Sequence, residues 1–268
     1  MELFLLKDAD PAAVEPAHGT YIVFDSHGSR LFGRLLLPDF YNKESRCPVV
    51  LMLHGHPGGD KNLDIGEALR ANGFAVAVFS YRGVWGSHGD YLLSHNIEDV
   101  ASAVDYLREI ADTHRLNPKK IYLFGHSMGG FSALNAIAAG LKVSGAVLMA
   151  PYDAGHQYLY NRPNFDSVMD CKERGYFHLS SENALEEDAA ANAENWCFTN
   201  LVPKLDKSIP YCFIEGKRDT TSLPTEPLVE QMQQAGFTAF HCLLDDGHMF
   251  PLHRATIAKT ALDFFTKD

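Results

Sequence analysis

The chain has 268 residues, of which 46% are hydrophobic, and its formal net charge is −11 at pH 7. This length and apolar content suffice for the core of one α/β domain. The acidic balance disfavours a nucleic-acid backbone or an anionic membrane as a partner, because both attract lysine and arginine. The five cysteines show no Cys-x-x-Cys spacing, so neither a disulfide framework nor a thiolate zinc site is indicated, and a reducing cytoplasm is the expected compartment.

The first predicted elements are a pair of antiparallel strands. Residues 21–24 and 31–37 are apolar runs of strand-forming residues, and the segment between them is rich in turn residues. Two later runs, 48–53 and 74–80, are apolar without polar alternation, as expected for parallel strands that helices cover on both faces. A helix over 63–71 separates these two strands.

The alternation of strands and helices continues to the end of the chain. A longer helix follows the run at 74–80, because a set of apolar side chains falls on one helical face: Val100, Ala103, Val104, Leu107 and Ile110. The remaining predicted elements are strands at 119–124, 144–150, 209–214 and 238–244 and helices at 131–140, 225–235 and 253–266. This order predicts the α/β class with a doubly wound, mostly parallel sheet.

One long stretch, residues 151–207, interrupts the alternation after the sixth strand. It holds eight aromatic side chains and an Ala/Glu-rich segment at 182–194 that is predicted to be helical. Connections of this length in a compact domain are usually functional, so we expect a cap inserted into a single domain spanning 1–268. The candidate substrate-binding residues in this cap are Tyr158, Tyr160, Phe177 and Trp196, although such aromatics can equally form the cap's own core.

The most informative motif is Gly-His-Ser-Met-Gly-Gly at 125–130, which fits the pattern Gly-x-Ser-x-Gly. It lies between a predicted strand and a predicted helix. So tight a turn strains the serine backbone, and its glycines remove Cβ atoms that would otherwise collide as strand and helix close together. Ser127 is therefore the predicted nucleophile, and the alternative is a glycine-rich connection without chemistry.

A serine hydroxyl is a weak nucleophile until a base accepts its proton, so a hydrolase also needs a histidine and a carboxylate. With this type of turn, the acid and then the histidine follow the serine along the chain. The histidines after Ser127 are His156, His178, His241, His248 and His253. His248 is favoured because it follows the last strand in a loop next to Gly247, whereas His241 lies within a strand and His253 begins a helix.

The favoured acid is Asp219, which follows the strand at 209–214. Gly216 in that turn lets the loop present Asp219 at the carboxyl end of the sheet. Asp153, just after the preceding strand, is the main alternative. Asp245 and Asp246 are expected to be solvated loop carboxylates.

The oxyanion of a tetrahedral intermediate needs N–H donors that are already in place. The Met128 amide, at the start of the helix after the nucleophile, is one candidate. The His56 amide, in the glycine-rich segment 54–59, is the other. His54 and His56 also have the spacing of a metal pair, but no third ligand lies nearby, so neither a metal nor another cofactor is predicted.

From about residue 20 to 266 the chain resembles α/β-hydrolase-fold serine hydrolases. The resemblance rests on HGHPGG at 54–59 for the oxyanion loop, GHSMGG at 125–130 for the nucleophile turn, and GKRD at 216–219 with DDGH at 245–248 for the acid and base loops. YRGVWGSHG at 81–89 resembles a loop of the prolyl-oligopeptidase-like, Xaa-Pro-peptidase-like and feruloyl-esterase-like branches. Unlike true prolyl oligopeptidases, these 268 residues are expected to contain no propeller domain, which argues against an oligopeptidase.

The resemblance implies a hydrolase that cleaves a small carboxylic ester through an acyl-enzyme, with a triad of Ser127, His248 and Asp219. Two alternatives stay open: a small peptidase or amidase that uses the same groups, and a non-catalytic binding protein with this fold. The expected partner is a small ester or amide, while the oligomeric state stays open. If the cap aromatics form only a core, the loop at 81–89 is expected to set specificity.

Overall fold

The computed structural model describes residues 7–170 and 175–267. The strands in these residues are β1 (His18–Ser26), β2 (Ser29–Leu37), β3 (Cys47–Leu53), β4 (Ala75–Phe79), β5 (Leu116–His126), β6 (Gly145–Met149), β7 (Tyr211–Gly216) and β8 (Ala239–Leu244). They form one sheet in the order β1-β2-β4-β3-β5-β6-β7-β8. β1 and β2 are antiparallel, β2 is antiparallel to β4, and every pairing from β4 to β8 is parallel. The predicted doubly wound, mostly parallel sheet is therefore confirmed.

From β3 onward the helices alternate with the strands, except that several helices follow one another between β6 and β7. They are α1 (Leu63–Ala71), α2 (Leu93–Glu109), α3 (Met128–Ala138), α4 (Ala154–Tyr160), α5 (Arg162–Met169), α6 (Ala184–Trp196), α7 (Phe198–Leu201), α8 (Glu226–Gln234) and α9 (Arg254–Phe265). α3 begins directly after Ser127, three residues before the predicted start. Within the described residues, no helix combines the length and apolar character needed to cross a membrane.

β3 shows how the sheet divides the core. Val49, Leu51 and Leu53 pack in the cluster that contains α2 and α3, whereas Val50 and Met52 pack on the other face with α1 and α9. Because successive side chains of a strand point to opposite faces, a strand covered by helices on both sides must be apolar throughout. Full burial of each such side chain contributes about 1.5–3 kcal/mol.

The predicted insertion lies between β6 and β7 and carries α4 to α7. α4 crosses α6 closely because Gly155 has no side chain: a Cβ there would lie 2.3 Å from the carbonyl oxygen of Ala193. The carboxylate of Asp153 accepts hydrogen bonds from the amides of His156 and Phe198, both at 3.0 Å. Asp153 therefore joins the start of α4 to the start of α7. Residues 171–174 of the insertion, including Cys171, lie outside the described residues.

Two of the contacts that attach the insertion to the rest of the domain involve aromatic residues. Trp196 of α6 packs edge-to-face on Phe131 of α3, with the ring centroids 5.4 Å apart. Phe177 forms an antiparallel backbone bridge with Val84, and the amide of His178 next to it donates to a carbonyl oxygen of the 81–89 loop at 2.8 Å. The insertion is thus packed on α3 at one point and hydrogen-bonded to the 81–89 loop at another.

The 81–89 loop is itself held by a buried ion pair between Arg82 and Asp99 of α2. The Arg82 side chain donates from Nε to Asp99 Oδ1 at 2.7 Å, and the Arg82 amide donates to Oδ2 at 2.8 Å. The hydroxyl of Ser26 adds a third hydrogen bond to Oδ1 at 2.6 Å. Both charged side chains are nearly inaccessible to water, so neither can exchange its partner for solvent.

Replacement of Asp99 by alanine is expected to lower the free energy of unfolding by about 3 kcal/mol, because Arg82 Nε loses its buried acceptor, although the guanidinium keeps its contact with Glu98. Chemical denaturation measures this change. The matched control is Asp105→Ala on the exposed side of α2, where the carboxylate pairs with Arg108 and should contribute less than about 1 kcal/mol. Equal losses from the two variants would contradict a special role for the buried pair.

Candidate active site

Ser127 lies at the turn between β5 and α3, in a conformation that L-residues rarely adopt. Its φ is 53° and its ψ is −117°. The turn is possible only because its neighbours lack side chains: a Cβ on Gly129 would lie 2.0 Å from the carbonyl oxygen of Leu53, and one on Gly125 would lie 2.5 Å from that of Gly129. The glycines therefore let β5, α3 and the end of β3 approach one another closely.

Backbone hydrogen bonds fix this strained residue from both sides. The Ser127 amide donates to the carbonyl oxygen of Met149 in β6 at 2.9 Å. The Ser127 carbonyl oxygen accepts from the amides of Gly130 at 2.9 Å and Tyr152 at 3.0 Å. Several simultaneous contacts of this kind are what keep a strained backbone conformation in place at functional sites.

His248 and Asp219 form a hydrogen-bonded pair on the neighbouring loops. His248 Nδ1 lies 2.8 Å from Asp219 Oδ2, and Asp219 Oδ1 accepts from the amides of Thr221 at 2.7 Å and Ser222 at 3.1 Å. Burial alone would raise the pKa of Asp219, but the hydrogen bonds from His248 and the two amides outweigh it and lower that pKa. An ionised Asp219 accepts a hydrogen bond from the Nδ1–H group, so the lone pair of His248 is on Nε2.

The alternative acids have other partners. The Asp153 carboxylate accepts hydrogen bonds from backbone amides at the starts of α4 and α7. Asp246 accepts from the ring of His253 at 2.9 Å, and Asp245 pairs with the exposed Arg218 at 3.1 Å. His241, the other histidine near this edge, bonds to Glu215 at 3.0 Å. Among the described carboxylates, only Asp219 is hydrogen-bonded to the ring of His248.

His126, the residue before Ser127 in the 125–130 motif, makes a contact that the sequence did not indicate. Its Nε2 donates to the carbonyl oxygen of His248 at 3.0 Å, and the two rings lie 5.1 Å apart. Burial, with a smaller contribution from the nearby His248, lowers the pKa of His126 to about 4. His126 is therefore neutral, and its hydrogen bond joins the main chain of His248 to the turn that contains Ser127.

The two predicted oxyanion donors lie on either side of Ser127. The Met128 amide is at the first position of α3, where helical N–H groups have no partner within the helix. On the opposite side, a Cβ on Gly55 would lie 3.1 Å from Ser127 Cβ, so the 54–59 loop runs directly beside the serine. The amide of His56 follows Gly55 in this loop.

The rings of His54 and His56 have separate partners rather than a common one. His54 Nδ1 lies 2.8 Å from the carbonyl oxygen of Gly55, while His56 Nδ1 lies 2.9 Å from the hydroxyl of Tyr91. Burial lowers the pKa of His56 to about 4 and that of His54 well below its ordinary value. In residues 7–170 and 175–267, no three His, Cys, Asp or Glu side chains are grouped so that they could hold a metal ion.

Ser127 and His248 line one cleft with a volume of about 440 Å³. Its lining consists of Gly55, His56, Pro57, Gly58, Gly59, Asp60, Trp85, His126, Ser127, Tyr176, His248 and Met249. Trp85, Tyr176 and Met249 are each between 40% and 48% exposed. They form the apolar, partly open part of the cleft.

The four aromatics predicted to bind substrate are not among the described residues that line this cleft. Trp196 is buried against α3, and Tyr158 donates its hydroxyl to Glu186 at 2.8 Å. Tyr160 is 73% exposed. Phe177 packs instead against the 54–59 loop, with its ring 5.2 Å from that of His56. The sequence could not indicate which face each helix of the insertion turns toward the sheet.

Two aromatics that do line the cleft were not singled out from the sequence. Trp85 lies in the 81–89 loop, whose resemblance to loops of related hydrolases was the available signal. Tyr176 precedes Phe177 in the insertion. The backbone bridge between Phe177 and Val84 of the 81–89 loop brings Tyr176 to the cleft.

Comparisons with known proteins agree with this architecture. A model of the alpha/beta hydrolase family matches residues 50–260. The uncharacterised protein YfhR of Salmonella typhimurium is 30% identical over 124 residues, which are 46% of this chain and 41% of that protein. The lysophosphatidylserine lipase ABHD12 of Danio rerio is 31% identical over 104 residues, which are 37% of this chain and 26% of that protein. The match thus spans less than half the length of each of these two relatives.

Solved structures show the same fold at low sequence identity. An acylaminoacyl peptidase of Pyrococcus horikoshii has a TM-score of 0.71 at 14% identity, and the match covers 93% of this chain and 41% of that one. An esterase of Rhizomucor miehei has a TM-score of 0.67 at 17% identity, and the match covers 94% of this chain and 83% of that one.

Replacement of Gly129 by alanine is expected to destabilise the protein by about 1–3 kcal/mol or more, because the new methyl group meets a backbone carbonyl that cannot move aside. Urea denaturation measures the change. Gly247→Ala is the matched control in the loop of His248, since no atom lies within 4 Å of a Cβ there. Unchanged stability of the Gly129 variant would disprove the close approach of α3 to β3.

Proposed function

The chain belongs to the alpha/beta hydrolase family, and from this premise we propose that it is a serine hydrolase that cleaves a small carboxylic ester through an acyl-enzyme. One observation carries the proposal: a serine on a strained turn and a histidine bound to a buried carboxylate line the same cleft. An esterase and a peptidase among the structures with this fold agree with an acyl-transfer reaction.

In the first half-reaction, the Ser127 hydroxyl attacks the carbonyl carbon of the ester. His248 Nε2 accepts the hydroxyl proton as the new C–O bond forms, and Asp219 stabilises the resulting imidazolium through Nδ1. The negative oxygen of the tetrahedral intermediate is held by the amides of Met128 and His56. The intermediate collapses when the C–O bond to the alcohol breaks, and the alcohol takes the proton from His248.

In the second half-reaction, water replaces the alcohol. His248 accepts a proton from this water as its oxygen attacks the acyl-serine carbonyl. The second tetrahedral intermediate releases the carboxylic acid, and Ser127 regains its proton from His248. The same groups therefore serve both steps, and no cofactor enters the scheme.

The insertion belongs to this proposal as a cap over the carboxyl edge of the sheet. Among the described residues of the insertion, Tyr176 lines the cleft, and the bridge between Phe177 and Val84 fixes its position. We therefore assign specificity to Tyr176 and Trp85 rather than to Tyr158, Tyr160, Phe177 and Trp196. A comparison of p-nitrophenyl esters with aminoacyl anilides tests the choice of ester over amide, and faster anilide cleavage would favour a peptidase.

Replacement of Ser127 by alanine is expected to abolish ester hydrolysis and fluorophosphonate labelling without loss of the fold, because it removes only the attacking oxygen. Ser132→Ala is the matched control: its hydroxyl is buried one turn further along α3 and bonds to the carbonyl oxygen of Met128. The control variant should keep both activities. More than a few per cent of wild-type kcat in the Ser127 variant would remove Ser127 from the mechanism.

Replacement of Asp219 by asparagine is expected to lower kcat by roughly 10⁴-fold, the loss known for the corresponding change in a serine protease triad, because the amide favours the wrong histidine tautomer. Asp153→Asn changes a carboxylate of similar burial whose hydrogen bonds, among the described residues, come from backbone amides. Steady-state kinetics on one ester compares the two variants. A severe loss in the Asp153 variant with a mild one in the Asp219 variant would reverse the assignment.

A further inference from the structure

The cleft carries a fixed negative charge. Asp60 is the only carboxylate among its described lining residues, and neither lysine nor arginine contributes to the lining. The low pKa values of His56 and His126 keep both rings neutral at neutral pH. An uncharged ester does not need a carboxylate in its binding cleft, so this charge requires an explanation.

Within the described residues, neither lysine nor arginine forms an ion pair with Asp60. Lys61, the next residue, donates to the carbonyl oxygen of Phe79 at 3.1 Å and to the hydroxyl of Ser80 at 3.0 Å. The Arg254 guanidinium is bound to Asp64 and Asn62. Within the described residues, the side chain of Asp60 accepts a single hydrogen bond, from the amide of Asn62 at 2.7 Å to Oδ1.

Two aromatic side chains stand in the same cleft, and both are held in place. The Trp85 indole donates from Nε1 to the carbonyl oxygen of Pro57 at 2.7 Å, which fixes it along the oxyanion loop. The ring of Tyr176 lies 6.3 Å from that of Trp85, at an angle of 33°. The backbone bridge between Val84 and Phe177 joins the residues next to these two aromatics.

A carboxylate beside aromatic faces is a combination that recognises ammonium groups, because the ring faces and the carboxylate both attract positive charge. Neutral substrates would gain from the rings but not from Asp60. Anionic substrates would be repelled by Asp60 and would find no cation in the described lining.

We propose that Asp60, Trp85 and Tyr176 form a subsite for a positively charged ammonium group, so that the preferred substrates are cationic esters. This inference rests on the proposed function, since it names the substrate class of the same site. The ammonium group sits against the aromatic faces of Trp85 and Tyr176 and is neutralised by Asp60, while the ester carbonyl lies at Ser127.

The test compares esters that differ in charge but not in shape. One pair is choline butyrate and 3,3-dimethylbutyl butyrate, which place the trimethylammonium or tert-butyl group in the alcohol. The other is the p-nitrophenyl ester of 5-(trimethylammonio)pentanoic acid and that of 6,6-dimethylheptanoic acid, which place it in the acyl group. In at least one pair, kcat/KM for the charged ester should exceed that for its neutral isostere by about tenfold or more.

For each variant, the measured quantity is the ratio of kcat/KM between the charged and the neutral ester of each pair, rather than the activity on one ester. Asp60→Asn keeps an oxygen for the Asn62 amide but removes the charge, and Trp85→Leu removes the aromatic face. Each should lower the ratio by about fivefold or more, and added salt should lower the wild-type ratio as well. Asp245→Asn is the matched control: it removes an exposed carboxylate from the loop of His248 that does not line the cleft, and it should leave the ratio unchanged.

The outcomes separate this inference from the proposed function. A ratio near one in both pairs, with Ser127 still labelled by a fluorophosphonate and the neutral esters hydrolysed, overturns the ammonium subsite alone. A ratio that Asp60→Asn leaves unchanged overturns it too. No hydrolysis of any of the four esters, together with no labelling of Ser127, overturns the proposed function and this inference with it.

Discussion

The close approach of β3, β5 and α3 around Ser127 is the constraint on which the rest of the site depends. A backbone at φ 53° costs on the order of 1–3 kcal/mol, and it persists because the packing around it allows no alternative. Gly125 and Gly129 leave no room for a side chain, and the Ser127 amide and carbonyl are both hydrogen-bonded. The strain serves one end: it presents the serine side chain at the helix N-terminus, next to amides that have no helical partner.

The parallel sheet explains why residues far apart in the chain meet at this point. β3, β5, β6, β7 and β8 run in the same direction, so the loops after their carboxyl ends share one edge. Four of those loops supply His56, Ser127, Asp219 and His248. The hydrogen bond from His126 to the main chain of His248 then locks the loop after β8 to the turn after β5. The order of these loops along the edge thus follows the order of the strands in the sheet. Hydrogen bonds between the loops then set the distances between their side chains.

Those parts of the structure that depend on local pattern could be predicted from the sequence. The runs at 48–53 and 74–80 predict parallel strands because burial on both faces requires continuous apolar residues, and the Asp219–His248 pairing follows from their positions after two strands. The positions of the aromatic side chains in the insertion could not be predicted from local pattern. Trp196 and Tyr176 are both aromatic residues in a segment without strands, yet one is buried against α3 and the other lines the cleft. That difference arises from long-range contacts, the packing on Phe131 and the bridge at Phe177, which no local pattern encodes.

The 81–89 loop links the stability of the domain to the shape of the cleft. Its buried anchor, the ion pair of Arg82 with Asp99, lies within a few residues of Trp85, whose φ of 47° is itself in the left-handed region. The same loop pairs with the insertion and so fixes Tyr176. A buried ion pair tolerates little change in geometry. The pair of Arg82 with Asp99 therefore contributes less to net stability than to the fixed position of the two exposed aromatic rings, Trp85 and Tyr176. Under the proposed function, the turn at Ser127 acts on every substrate alike, whereas the 81–89 loop distinguishes between substrates. The turn and the loop are held by separate contacts, so the two could change independently.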